Sequence, residues 1–253
     1  MSAVIIIPAR MASTRFPGKV LAAKTGKPLI QHVYEAAKQA ACAGRVVIAT
    51  DDARVAGAAK GFGAESVMTR ADHPNGTSRL AEAAAKLGLG AGEVVVNAQG
   101  DEPELEPALI DAAVGVLAGS GAPMATAAVP FAPGEDPADP HMVKVVVRRD
   151  GRAMYFSRAL IPFERGRGAT TRAGVPPLKH IGLYVYRRPF LDTYLSLPET
   201  ALEKTEQLEQ LRVLWHGHDI SVAVRNIRTF GGIDTPEQYE AFVKRHAARA
   251  SAR

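Results

Sequence analysis

Arg10, Arg15 and Lys19 fall on one short stretch, directly after the apolar run Val4–Ile7. Arginine forks hold phosphate oxygens bidentately and lysine adds a point charge, so three such cations on one loop suit a polyphosphate. Gly18 lets the backbone come close to a ligand. The spacing G-x-x-x-x-G-K-[ST] is absent, and no G-x-G-x-x-G follows the first apolar run. A solvated basic loop stays open as the plain alternative. Asp101 lies in NAQGDEP, Asn97 to Pro103. A carboxylate there, facing a polyphosphate loop, could hold Mg²⁺, which takes one or two carboxylates plus phosphate oxygens and water. Asp234, in GGIDTPEQ, is a second candidate ligand. Asp234-Thr235-Pro236-Glu237 also reads as an ordinary helix start capped by Asp or Thr.

Other reactive side chains give weaker signals. The histidines have no metal-ligand spacing, and His216-x-His218 is a weak pair. His180 precedes a strand pattern and reads either as a substrate contact or as a buried histidine. Cys42 sits among small apolar residues and reads as core. The nucleophile elbow G-x-S-x-G is missing, which argues against covalent catalysis.

These residues need elements to hold them. Val4–Ile7, Val46–Ala49, Ser66–Met68 and Val94–Val96 read as strands. They alternate with helical patterns over 28–41, 52–60, 79–87 (capped by Thr77 or Ser78) and Pro107–Leu117, with Pro107 near a first turn. Continuous apolar strands between helices imply a parallel sheet covered on both faces. Ligands of such sheets bind beyond the carboxyl ends of the strands. There the sequence places Arg10, Arg15 and Lys19, then Thr50, Asp51 and Asp52, then NAQGDEP. Further on, Met124–Pro130, Val143–Val147, Ala153–Ser157, His180–Tyr186 and Ile220–Val224 read as strands, with an Asp150-Gly151 turn making a hairpin. Residues 188–196, 203–215 and 236–249 read as helices, and 132–141 and 164–177 as surface loops. Gly166–Gly168 reads as a mobile stretch. The expectation is one α/β domain over 1–253 with a hairpin-containing insertion.

Composition narrows the classes. With 253 residues and 47% hydrophobic content the chain is long enough for a large core. A single cysteine excludes an intramolecular disulfide and suits a reducing, cytoplasmic setting. There is no apolar run long enough to cross a bilayer, and no secretory signal is expected. The net charge of +5 is uneven. Residues 144–172 carry Lys144 and seven arginines against Asp150 and Glu164, a field suited to an anionic substrate. Residues 244–253 hold Lys244, Arg245, Arg249 and Arg253 without an acid and read as a solvated end. Basic patches without interleaved aromatics or zinc-finger spacing do not point to nucleic acid.

Seven motifs occur in order from residue 5 to 240: IIIPARMASTRFPGKVL, MTRADHPNGTSRLAE, VVNAQGDEP, AMYFSRALIP, KHIGLYVYRR, LEQLRVLWHG and IDTPEQYE. Together they resemble the 3-deoxy-manno-octulosonate cytidylyltransferases, or CMP-Kdo synthetases, which are sugar nucleotidyltransferases with a Rossmann-like α/β fold. The first motif is shared with CMP-sialic acid synthetases; the combination of QGDEP, HIGLY, LEQLR and DTPEQ is narrower. Departures at Met11, Asn75–Ser78 and 164–177 touch no charged motif position.

The resemblance implies CTP and Kdo as substrates, CMP-Kdo and pyrophosphate as products, and direct attack of the anomeric hydroxyl on the α-phosphorus. It implies Mg²⁺ held by Asp101 and Asp234, with Lys19 joining them as catalytic. Arg10, Arg15, Lys19, Arg79 and Gln99 are implied as nucleotide contacts. Gln99, His180, Tyr184, Glu209 and Gln210 are implied as the sugar pocket, His180 and the positive field facing the sugar carboxylate. Without the resemblance, Glu209 and Gln210 read as a solvent-facing helix stripe. Cytosine is expected near Pro8–Ala9 and the Arg70–Gly76 loop. A homodimer built on an insertion at roughly 130–190, and a role in lipopolysaccharide synthesis, follow from the same resemblance. A cytidylyltransferase for 8-amino-Kdo or sialic acid is the alternative; a non-catalytic CTP-binding module is a further one.

Overall fold

The apolar runs become strands with few exceptions. The structure, a computed structural model, describes residues 1–165 and 175–251. The chain divides into two compact units where a single domain was expected. One unit comprises Met1–Asp111 with Thr229–Arg253, the other Ala112–Arg228. Gly166–Gly168 and most of the 164–177 loop lie outside the described residues.

In the first unit, β1 (Ala3–Ala9) pairs in parallel with β2 (Ala43–Thr50) and with β4 (Val94–Asn97). β2 in turn pairs in parallel with β3 (Glu65–Met68). Ile5, Ile6, Ile7, Val47, Ile48, Val95 and Val96 are fully buried. Both sides of these strands are therefore covered, as their uninterrupted apolar sequence requires. The covering helices are α1 (Leu29–Lys38), α2 (Ala53–Gly61), α3 (Gly76–Lys86) and the first part of α4 (Pro107–Ala118). Asp52 caps α2, accepting from Arg54 N at 2.8 Å. Asn75, rather than the expected Thr77 or Ser78, caps α3, accepting from Ser78 N at 2.8 Å. Asn is as strong a cap as Ser, and it stands where the chain first turns helical. The last helix, α8 (Pro236–Ser251), returns to this unit. Its Tyr239 and Phe242 pack with Leu29 and Ile233.

In the second unit, β5 (Met124–Pro130) pairs antiparallel with β8 (Leu178–Arg187) and parallel with β9 (Ile220–Val224). β6 (Lys144–Val147) pairs antiparallel with β7 (Ala153–Ser157) and with β8. The β6–β7 hairpin forms as the Asp150-Gly151 signal predicts, with Gly151 at φ 81°. The helix expected over 203–215 is two helices, α6 (Ala201–Glu206) and α7 (Gln210–Trp215), after α5 (Arg188–Ser196). The break falls at Gln207, whose φ of 51° no helix accommodates. Parallel strands flanked by helices, with antiparallel strands added, make the fold mixed α/β.

Candidate active site

β1 ends at Ala9 and releases the basic loop. Gly18 sits at φ 71°, the left-handed region that glycine enters freely, and its N–H bonds Met11 O at 3.2 Å. The chain then turns through a short 3₁₀ segment, Lys19–Leu21, that buries Lys19 to 8% exposure.

The Lys19 ammonium is the hub of the first unit. Nζ donates to Asp101 Oδ2 at 2.6 Å, to Ile233 O at 2.7 Å and to Asp234 Oδ1 at 3.0 Å. An ammonium has three protons, so all its donors are engaged. Arg15 holds the other Asp234 oxygen, Oδ2, at 2.8 Å. The sequence separates these residues by up to 215 positions, and the fold gathers them to one point. Asp101 is placed by the turn after β4. There an added Cβ on Gly100 would lie 2.5 Å from Pro8 O, so only glycine lets the turn approach β1.

Asp234 is no helix cap. Thr235 Oγ1 accepts from Gln238 N at 3.4 Å, and Gln238 Oε1 accepts from Asp234 N at 2.7 Å and Thr235 N at 3.0 Å. Thr235 and Gln238 thus share the start of α8 and leave the Asp234 carboxylate to the cations. Glu102, beside Asp101, was not singled out in the sequence. Burial, with the Asp101 charge, pushes its carboxyl up to about 8.

Other expected nucleotide contacts fare differently. Arg10 is exposed and makes no ion pair among the described residues, so its guanidinium is available. Arg79 is turned inward. It is buried on α3 and donates to Thr69 Oγ1 at 2.5 Å and to Asp51 Oδ2 at 3.0 Å. These internal bonds, rather than a ligand, occupy two of its nitrogens. Gln99 is half-buried, one residue beyond Ala98, and its side chain is held by no hydrogen bond among the described residues. Asn97, at the end of β4, is buried with Oδ1 unpartnered. The only hint in the sequence is that it is the first polar residue after Val94–Val96. The 70–76 loop is tied to α3 through Glu82, which accepts from Arg70 N at 3.1 Å and bonds the His73 ring.

Apart from Gln99, the expected sugar residues belong to the second unit, on β8 and at the start of α7. His180 Nε2 lies 2.9 Å from Thr126 Oγ1. The single Thr126 hydroxyl proton goes to Leu183 O at 2.7 Å, so Nε2 carries the ring proton and Nδ1 is a bare acceptor. Phe156 and Tyr184 flank the ring at 4.9 and 5.5 Å between centroids. Burial pushes its pKa down to about 3. At neutral pH His180 is therefore uncharged, so any charge set against a sugar carboxylate comes from other groups. Tyr184 Oη donates to Gln210 Oε1 at 3.0 Å. Gln210 is 2% exposed and its Nε2 has no partner. Glu209 is half-buried, immediately before α7. The pair therefore is not a solvent stripe.

The oxygens around Lys19 suit a hard cation as well as an ammonium. Two carboxylates converge within 3.0 Å of one point. No cluster of three or more His, Cys, Asp or Glu exists among the described residues. Two carboxylates, completed by phosphate oxygens and water, are the set Mg²⁺ prefers.

The chain has similar proteins over nearly its whole length. The cytidylyltransferase family profile matches residues 4–220. The 3-deoxy-manno-octulosonate cytidylyltransferase of Aliivibrio fischeri (strain MJ11) is 51% identical over 243 residues, 95% of this chain and 97% of that protein. That of Vibrio cholerae serotype O1 (strain M66-2) is 49% identical over 252 residues, 99% and 100% of the two chains. A solved CMP:2-keto-3-deoxy-manno-octonic acid synthetase complexed with CTP matches with a TM-score of 0.90 and 41% identity, covering 98% of this chain and all of that one. Half-identity along nearly the whole length, with the same fold, makes the chain a member of the cytidylyltransferase family, among the 3-deoxy-manno-octulosonate cytidylyltransferases.

Proposed function

We propose that this protein transfers a cytidylyl group from CTP to 3-deoxy-D-manno-octulosonate (Kdo), giving CMP-Kdo and pyrophosphate. The anomeric oxygen forms the new bond to the α-phosphorus. The bond from that phosphorus to the bridging β-phosphate oxygen breaks, and the hydroxyl proton leaves to water. The observation that carries the reading is the gathering of Asp101, Asp234 and Arg15 around Lys19 at strand ends. Supplying the activated sugar acid for lipopolysaccharide synthesis is the role that fits.

Negative charge grows on the departing pyrophosphate. Arg10, exposed and without an ion pair among the described residues, and Arg15 are the cations to offset it. Lys19 reaches a phosphate only by giving up one of its three bonds, so its first task is to hold the two carboxylates together. Asp101 and Asp234 would hold Mg²⁺, which when bound supplies charge neutralisation at phosphate oxygens. Gln99, after β4, is free to meet either substrate.

In the second unit, Gln210 offers an amide donor that is buried and unpaired. Such a donor costs roughly 1–3 kcal/mol until it finds an acceptor, which a sugar oxygen provides. His180 Nδ1 accepts from a sugar hydroxyl, and Tyr184 and Glu209 add polar groups beside it. The test is pyrophosphate release from CTP with Kdo, 8-amino-Kdo or sialic acid, with and without EDTA. Release with Kdo that EDTA abolishes is expected. Absence of release with Kdo overturns the reading, and faster release with another sugar reassigns the acceptor.

A further inference from the structure

Between Glu206, the last residue of α6, and Gln210, the first of α7, stands a residue in an unusual conformation. Gln207 has φ 51° and ψ 51° and is the only non-glycine residue with positive φ among the described residues. For a residue with a Cβ this costs about 1–2 kcal/mol, so something must hold it. Arg158, just past β7, does so. Its Nε donates to Glu206 O at 2.7 Å and its Nη2 to Gln207 O at 3.3 Å, so the fork spans the two carbonyls at the kink. Nη1 donates to Pro140 O at 3.0 Å. The guanidinium makes no ion pair among the described residues. Its contribution is therefore geometric, and carbonyls at a helix end have no other intrahelical donors.

Arg158 is itself fixed from both sides. Its N–H donates to Glu206 Oε2 at 2.9 Å, and the same carboxylate accepts from Ser157 Oγ at 2.6 Å. Its carbonyl accepts from Lys144 Nζ at 2.5 Å, and that fully buried lysine also donates to Asp139 O at 3.0 Å. Two and three residues beyond the kink come Glu209 and Gln210.

We propose that Arg158 is a positioning residue for the sugar acid: by fixing the kink at Gln207 it sets where Glu209 and Gln210 stand. This rests on the assignment of Glu209 and Gln210 to the sugar pocket. A misplaced contact of the order of 1 Å is enough to cost up to about a hundredfold.

Steady-state kinetics of the full chain test it, with CTP and Kdo varied in turn, for Arg158→Ala, Arg158→Lys, Glu209→Ala and Gln210→Ala. Melting curves accompany each variant. Arg158→Lys keeps the charge and loses the fork, and it serves if Arg158→Ala does not fold. The expected result is a KM for Kdo raised about tenfold or more in both Arg158 variants, with the KM for CTP within about twofold. An unchanged Kdo KM in the Arg158 variants, beside a raised one in Glu209→Ala, overturns the proposal and leaves the pocket standing. An equal rise in both KM values also overturns it, since that marks a general loss of structure. Unchanged Kdo KM in Glu209→Ala and Gln210→Ala overturns the pocket assignment, and the proposal with it.

Discussion

At the scale of single residues, the site is a contest for one ammonium. Lys19 holds Asp101 and Asp234 together, and neither carboxylate is fully buried. Asp101→Asn keeps the shape and removes the charge. Turnover should fall by about 10²-fold or more while CTP affinity changes little, because charge is needed most in the transition state. Retained turnover in Mg²⁺ would sink a ligand role. Asp234 was ambiguous in the sequence, since Asp and Thr both cap helices. The structure assigns the cap to Thr235 and Gln238. Thr235→Ala should therefore cost about 1 kcal/mol of stability, as cap losses do. Asp234→Asn should reduce turnover and leave helix capping intact; a melting loss equal to that of Thr235→Ala would return Asp234 to the cap.

At the scale of elements, the basic end of α8 has a structural task. Arg245 Nε and Nη2 grip Glu104 Oε2 at 2.9 and 2.5 Å, and Arg249 reaches Oε1 at 3.1 Å. Both guanidinium groups also lie over Phe230, at 4.5 and 5.4 Å from the ring centre. The Glu104 side chain is 5% exposed. Glu104 is three residues past Asp101, and α8 begins two residues past Asp234, so the clasp joins the two segments that carry the carboxylates. The sequence reading of 244–253 as a solvated end is thereby corrected for Arg245 and Arg249. Glu104→Gln should lower the melting temperature and turnover together; if neither moves, the clasp is idle. The α6–α7 break offers an opposite test. Gly takes a φ of 51° without strain, so Gln207→Gly should stabilise the protein by about 1 kcal/mol, read as a raised melting temperature. A lowered one would mean that the side chain, not the backbone, matters there.

At the scale of the whole molecule, two histidines, His32 buried and His180 half-buried, make stability depend on pH. Burial, with His246 adding to it, pushes His32 down to about 4. Its ring bonds Thr25 Oγ1 and stacks edge-on against His246 and Phe242, with Glu35 and Lys27 the other charged groups near it. His180 lies lower, at about 3. Both are neutral in the fold at pH values where the unfolded chain binds protons. The stability is thus complete above about pH 6.5 and is lost as pH falls towards these values. The melting temperature should drop over that range, and His32→Gln should flatten the part above about pH 4. A flat profile in the unmodified protein would refute it.

Much of the first unit was legible because buried parallel strands must be apolar throughout. Val4–Ile7, Val46–Ala49 and Val94–Val96 show this, and their polar ends mark the site. The long helix over 203–215 misled because Gln207 bears no sign of a left-handed residue in its type. The pairing of Arg79 with Asp51 was not legible, because a cation in a motif carries no mark of its partner. The sequence by itself determined which segments of the first unit are strands, the family and the reactive residue types, since these are set by local periodicity and by motif. Only the tertiary structure decided that Lys19 meets Asp101 and Asp234, that Thr235 frees Asp234 from capping, that His180 is neutral and that Arg158 holds a kink before α7. Those outcomes depend on which groups far apart in the chain compete for the same hydrogen bonds, and on how much water is left around them.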